Sequence, residues 1–197
     1  MTIDIEPLRQ QLGRKIEDED VVTQAPIKAM IATFDRPDKV PAEGEPIMPG
    51  WHLLYLHSHA RPSQLGKDGA AVTGGVLPEI PMPRRMYAGS TFTFDGEIRV
   101  GDRLRRETEF SDVQLREGST GALIVTTQTR RIFTPRGLAL TEARNTVFRE
   151  EVKAGAASGV PVRDAAPSGL PWKRTITPNS VMLFRYSAIT FNPHRIH

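Results

Sequence analysis

Near the start of the chain, Ile27, Met30, Ile31 and Phe34 recur at helical spacing and form one apolar stripe. Thr23 stands where a helix N-cap belongs, and Pro26 suits a first turn. Asp18, Glu19 and Asp20 put negative charge ahead of the positive end of the helix dipole. Arg36-Pro37 closes the pattern, because a residue before proline is pushed out of the helical region. The spacing predicts a helix over Thr23–Phe34 whose stripe packs into a core.

Downstream, the pattern breaks and then changes period. Prolines 41, 46 and 49 flank a short apolar segment, Trp51–Leu56, and a long loop rich in Gly and Pro is expected from Arg61 to Gly89. A loop of that length inside a compact domain is often functional. Thr91–Phe94 alternates with period two. Leu104–Leu115 reads as a strand with one wet face, and Ala122–Phe133 is dense in β-branched residues. Thr134-Pro135-Arg136-Gly137 is a tight turn leading into a further strand, Leu138–Phe148. These elements predict an α+β unit: an antiparallel meander of long strands with a helix on one face. From Glu151 to Pro171 the chain is rich in Ala, Gly, Pro and Ser without apolar periodicity, which predicts a linker. Val181–Thr190 reads as a new strand.

Composition narrows the class. With 197 residues the chain can bury a core without disulfides. It has no cysteine, which excludes a disulfide scaffold, a thiol nucleophile and a Cys-based zinc site. It is 39% hydrophobic and 25% charged, as in ordinary globular proteins. The longest apolar runs are too short to span a bilayer, and the acidic start, Met1–Glu6, does not look like a secretory signal. A cytoplasmic location is expected (mitochondrial if the source is eukaryotic), with no membrane partner. A net charge of +3 makes no nucleic-acid footprint, although the pI near 9.4 hints at anionic ligands.

Candidate chemistry gathers at the end of the chain, where Asn192, His194 and His197 surround Arg195. Histidine titrates near neutral pH and suits proton transfer. By composition alone, a solvated histidine tail reads equally well.

The segment Phe184–His197, with Asn192-Pro193-His194-Arg195-Ile196-His197 at its end, resembles the catalytic motif of MaoC-like hydratases and dehydratases. The resemblance extends upstream through Gly13-Arg14-Lys15, Asp20–Thr23, Pro81–Gly89 and Ile98–Asp102. It is strongest to the two-domain members, which include mesaconyl-CoA and itaconyl-CoA hydratases and 3-hydroxyacyl-thioester dehydratases. It implies a hot-dog fold, in which a curved antiparallel sheet wraps a helix. It further implies a non-catalytic, substrate-holding unit over residues 1–150, a linker over 151–171, and over 172–197 the beginning of a catalytic unit, cut short.

The family motif is Asp-x-Asn-Pro-x-His. Matched on its histidine, Asn192 takes the Asp position, His194 the Asn position and His197 the His position. Matched on Asn-Pro, Thr190 and Arg195 would replace the acid and the base. The first register keeps a base and is preferred, with His197 as principal base, Asn192 orienting water or the 3-hydroxyl, and His194 as a second proton carrier or a loop anchor. An amide cannot take up a proton as a carboxylate can, so the departure from the motif is real. The implied reaction is reversible hydration of an enoyl-thioester, with a branched or dicarboxylic acyl-CoA such as mesaconyl-CoA as substrate, or an acyl carrier protein thioester. Neither metal nor organic cofactor is expected; coenzyme A belongs to the substrate. Arg84, Arg85 and Arg195 are the candidate substrate-binding residues, for phosphate or carboxylate. The alternative is a non-catalytic acyl-thioester-binding or partner subunit that needs a second polypeptide; for the enzyme, either a homodimer or completion by a missing C-terminal half is expected.

Other polar groups are expected to be structural. His52, His57 and His59 read as surface or loop residues rather than metal ligands. Arg103, Arg105, Arg106, Arg130 and Arg131 read as charges on the wet faces of strands.

Overall fold

The computed structural model describes residues 3–69, 71, 75–118, 121–150 and 167–194. The elements run α1 (Glu6–Arg9), β1 (Lys15–Val21), α2 (Gln24–Thr33), β2 (Arg84–Phe94), β3 (Arg103–Gly118), β4 (Gly121–Thr134), β5 (Gly137–Arg149) and α3 (Ser180–Ile189). The five strands form one antiparallel sheet in the order β1-β3-β4-β5-β2. Strands β3 to β5 are the expected meander, turning between Thr134 and Gly137.

Strand β2 departs from that expectation. It skips its sequence neighbour β3 and pairs with β5, from Arg84 opposite Arg149 to Phe94 opposite Leu140. The connection to β3 crosses the sheet end, held where Ile47 N–H donates to Ile98 O (2.9 Å) and Gly44 N–H to Val100 O (3.0 Å). Strand β2 also begins earlier than its alternating core suggests, because a bulge between Tyr87 and Gly89 changes which residues face inward. Arg84 and Arg85 thus lie within the strand.

The acidic run read as a helix lead-in is β1. Its residues Glu17 and Asp18 lie along the sheet edge against β3, where Arg105 Nη1 reaches Glu17 (3.2 Å) and Arg106 Nη2 reaches Asp18 (2.7 Å). Cross-strand charge pairing makes this polar sequence a strand. Helix α2 follows as expected, with Ile27 and Met30 buried. Thr23 occupies the N-cap position, but its hydroxyl makes no capping bond. Its carbonyl instead accepts the Tyr55 hydroxyl.

The inner face of the sheet carries two apolar clusters. Helix α2 packs with Leu104, Ile132 and Leu140 at one end. Helix α1 and the segment around Val76 and Met82 cover Phe110, Ile124 and Phe148 at the other. This sheet order, with a helix packed on the inner face after the first strand, is the hot-dog arrangement.

The predicted strand Val181–Thr190 is a helix, α3. Asn179 caps it, its Oδ1 accepting Met182 N–H at 2.9 Å. Tyr186 and Ile189 pack on the α2 cluster, and Tyr186 meets Phe34 with ring centroids 5.9 Å apart. A ten-residue apolar run without alternation fits either element, and the cap with this contact decides it. Most of the expected linker lies outside the described residues; its last part, 167–171, is exposed and irregular. No helix among the described residues is long and apolar enough to cross a membrane.

The turn before β3 rests on one buried carboxylate. Asp102, 6% exposed, accepts Arg99 N–H (2.7 Å) and both Nη groups of Arg136. Asp102→Ala should lower unfolding free energy by about 2 kcal/mol in urea melts, since Arg136 can rehydrate but the turn N–H loses its acceptor. The exposed pair Arg99–Glu97 provides the contrast: Glu97→Gln should change stability by less than about 0.5 kcal/mol.

Candidate active site

The polar residues at the end of the chain leave α3 through a tight turn. Thr190 Oγ1 donates to Tyr186 O (2.8 Å), and Asn192 N–H reaches back to Ser187 O (2.8 Å). Between them Phe191 takes a left-handed backbone, φ 48°. The carboxamide oxygen of Asn192 accepts His194 N–H at 3.2 Å, which holds Asn192 and His194 in one local arrangement. Arg195 and His197 lie outside the described residues.

This turn is seated on the long loop. Gly69 has φ +87°, and a Cβ there would run into the Pro193 carbonyl. Only glycine allows this approach of two backbones. Phe191 lies against the rings of His59 (5.2 Å) and His57 (6.3 Å). His57 is half-buried, and its Nε2 has no hydrogen-bond partner among the described residues. Burial lowers its pKa; backbone groups of Leu54 and Ile189 and the charge of Asp20 oppose that, while His59 reinforces it. Both histidines lie in irregular chain, as expected, with His59 exposed, and both border the turn through Phe191. Two shallow clefts, one along Glu19–Val21 and Arg103–Arg105 and one between Phe34 and Met182, are lined by none of the candidate site residues.

Arg84 and Arg85 point to opposite faces of β2, as strand neighbours must. Arg84 is exposed. Arg85 sits opposite Phe148, on the inner face. Much of its side chain meets solvent, yet crowding by protein lowers its pKa, Arg144 adds to this and Asp68 opposes it. The structure thus joins Arg85, Asp68 and Gly69 to the Pro193 turn, and separates Arg84 from them.

A family model for hydroxyacyl-thioester dehydratase type 2 matches residues 50–197, which include the long loop, strands β2 to β5 and the Asn192 turn. The chain belongs to this family. A mesaconyl-C4-CoA hydratase from Chloroflexus aurantiacus is 36% identical over 191 residues, which cover 94% of this chain and 66% of that protein. The chain therefore spans just under two thirds of that relative's length. Two solved structures from Mycobacterium tuberculosis share the fold. HtdX superposes with a TM-score of 0.53 at 16% identity, over 93% of this chain and 64% of its own. The ChsH1–ChsH2 complex gives a TM-score of 0.55 at 9% identity, over 77% of this chain and 96% of the matched one.

Three groups escaped the sequence reading of this dehydratase-family chain. His52 is not a surface residue: it is 5% exposed, with its ring edge 5.6 Å from Phe92. Arg106 and Arg130 are not on a wet face either. Even-numbered positions from Ile124 to Thr134 face inward, so Arg130 shares the inner face with Ile132. A period-two count anchored on Ile132 would have found it.

Gly69→Ala should lower Tm by several degrees and speed hydrogen exchange in both 61–69 and 191–194, since the φ value and the Pro193 carbonyl each oppose the methyl. Unchanged exchange in 191–194 would show that the loop does not seat the turn. His52 also makes a pH prediction. Burial lowers its pKa; of the facing charges Glu142 opposes this, while Arg130 and Arg106 reinforce it. The unfolded chain takes up this proton near pH 6.5 and the folded chain only at lower pH. The stability present above about pH 6.5 is lost as pH falls toward the folded value. In urea melts between about pH 7 and 5, His52→Phe should show a shallower fall than wild type.

Proposed function

We propose that the chain is a hydro-lyase acting on acyl-CoA thioesters, adding water across the 2,3-double bond of an enoyl-thioester and catalysing the reverse dehydration. The observation that carries this reading is the Asn192–His194 turn seated on the Gly69 loop, within the segment that matches the dehydratase family. A branched or dicarboxylic acyl-CoA is the substrate we favour, and the name of the Chloroflexus relative supports a mesaconyl group.

The chemistry requires a base and donors at fixed positions. Water oxygen bonds to C3 as a base takes its proton, and C2 gains a proton as the double bond is lost. The thioester oxygen carries the charge of the enolate-like transition state, which N–H donors stabilise. We assign the base role to His197. To the Asn192 carboxamide, whose oxygen accepts His194 N–H, we assign the orienting of water or the 3-hydroxyl. His194 anchors this turn through its backbone. Acid–base residues carry every step, and coenzyme A enters as part of the substrate. Arg195 remains a candidate for its phosphates.

The open edge of β2 supports a partner of the same fold. Tyr87, Phe92 and Phe94 on this strand are exposed, and so are Val181, Leu183 and Phe184 on α3. A second hot-dog unit, from another copy or from further polypeptide, would cover apolar surface of this kind.

The test follows the loss of enoyl-thioester absorbance on purified protein with mesaconyl-C4-CoA. His197→Ala should reduce kcat by about 10²- to 10⁴-fold, the usual contribution of a positioned general base. Equal rates for wild type and variant would overturn the assignment of the base.

A further inference from the structure

On the inner face of the sheet, two guanidinium groups share one buried carboxylate, Glu142. Between the two apolar clusters a polar band crosses all five strands: Asp18 on β1, Arg106 on β3, Arg130 on β4, Glu142 and Arg144 on β5, and Ser90 on β2. Asp18 neutralises Arg106. Glu142, 3% exposed, accepts Ser90 Oγ at 2.6 Å and Arg130 Nη1 at 3.3 Å, and Arg144 Nη1 stands 3.9 Å away. One carboxylate therefore serves two guanidinium groups. Arg144 lies over the Tyr87 ring, 4.8 Å from its centroid, and its charge opposes that of Arg85. Burial lowers the Arg130 pKa to about 10 despite Glu142, with Arg144 and Arg106 adding to the shift.

Two polar atoms are left over in this setting. Arg130 Nε and His52 Nε2 are shut off from solvent and have no hydrogen-bond partner among the described residues. His52 is held neutral by its surroundings, and a neutral ring still donates from Nε2 in the matching tautomer. Glu142 engages Arg130 through Nη1, so it does not occupy the Nε–Nη2 edge, which is the edge that forks side-on onto a carboxylate. Two guanidinium groups on one carboxylate, beside two donors left unused by the described residues, are the chemistry that recognises an anion. The band also leads toward the candidate site, since Arg85 faces Asp68, and the next residue, Gly69, seats Pro193.

The geometry points to Arg130, assisted by Arg144 and His52, as the group that binds a carboxylate carried by the acyl moiety of the substrate. This rests on the hydratase reading and narrows its substrates to enoyl-thioesters with a second carboxylate. A neutral acyl group would leave the Arg130 edge unpaired, and a polar site of this kind rejects the analogue that lacks the matching group.

The experiment compares kcat/KM for mesaconyl-C4-CoA and for 3-methylcrotonyl-CoA, in which methyl replaces the carboxylate. Wild type should prefer the carboxylated thioester by about 100-fold or more. Arg130→Lys keeps a charge beside Glu142 but loses the fork, and Arg144→Gln changes a side chain that already reaches solvent; each should lower that ratio at least about 10-fold, mainly through KM. Ratios within about threefold of wild type in both variants would overturn the proposal. If wild type turns over neither thioester, the hydratase reading fails by itself. The carboxylate site is then read from thermal melts, in which mesaconate should raise Tm for wild type but not for Arg130→Lys, and 3-methylcrotonate for neither. A wild-type melt indifferent to mesaconate would overturn it.

Discussion

Charge buried between two apolar clusters is the constraint on which the rest of the fold depends. A carboxylate as enclosed as Glu142 is tolerated only with partners, because leaving a buried ion unpaired costs several kcal/mol. Its partners come from three strands: Arg130 on β4, Arg144 on its own strand β5 and Ser90 on β2. The Ser90 contact fastens β2, the last strand in the sheet order among the described residues. The Asp18–Arg106 pair does the same for β1 at the opposite edge. An all-apolar inner face would be easier to stabilise but would bind nothing charged. A buried donor without a partner costs on the order of 1–3 kcal/mol, and among the described residues Arg130 Nε and His52 Nε2 are two such donors.

The two ends of this band require different covers. Helix α2 lies over one cluster, while the other is closed by α1 and by the segment around Val76 and Met82. His52 reaches the region between them because Gly50, with φ 88°, starts a single 3-10 turn there. Tyr55 and Leu56 then tie this turn back to α2 and β1, through Thr23 O and through Asp20 Oδ2 at 2.7 Å. The chain goes on to His57, His59 and Gly69, which meet the turn after α3. A single loop therefore touches both the charged band and the candidate catalytic turn.

Much of this was legible in the sequence where one physical signal ruled. The α2 stripe and the three meander strands follow from period alone. Strand β1 was not legible, because its alternation is of charge against charge, and the basic partners that stabilise it lie some ninety residues away on β3. The place of β2 beyond β5 was equally hidden, since topology is not written in local pattern. Arg106 and Arg130 looked like solvent-facing charges because strand periodicity was read for apolar residues only. The Asn192 and His194 pair stood out through its residue types, whereas Gly69 could be singled out only by what its absent side chain would strike.

The ends of α2 and α3 show how the candidate site was built from an ordinary helix stop. In each, a threonine hydroxyl returns to the carbonyl four residues back: Thr33 to Ala29 at 2.7 Å and Thr190 to Tyr186 at 2.8 Å. A left-handed residue comes next in each, Asp35 two positions after its threonine at φ 47° and Phe191 directly after its own at φ 48°. In each, an N–H then closes on the carbonyl five residues back, Arg36 to Ile31 and Asn192 to Ser187. After α2, the residues beyond the stop are used locally, as Arg36 pairs with Asp38 and lies over Trp51. After α3, the same stop ends in Asn192, and the left-handed position falls on a phenylalanine, which is less at home there than aspartate, at a cost of about 1 kcal/mol. The contacts of Phe191 with His57 and His59 are what offset that cost. The geometry of Asn192 and His194 is therefore maintained from the long loop as much as from the helix that carries them.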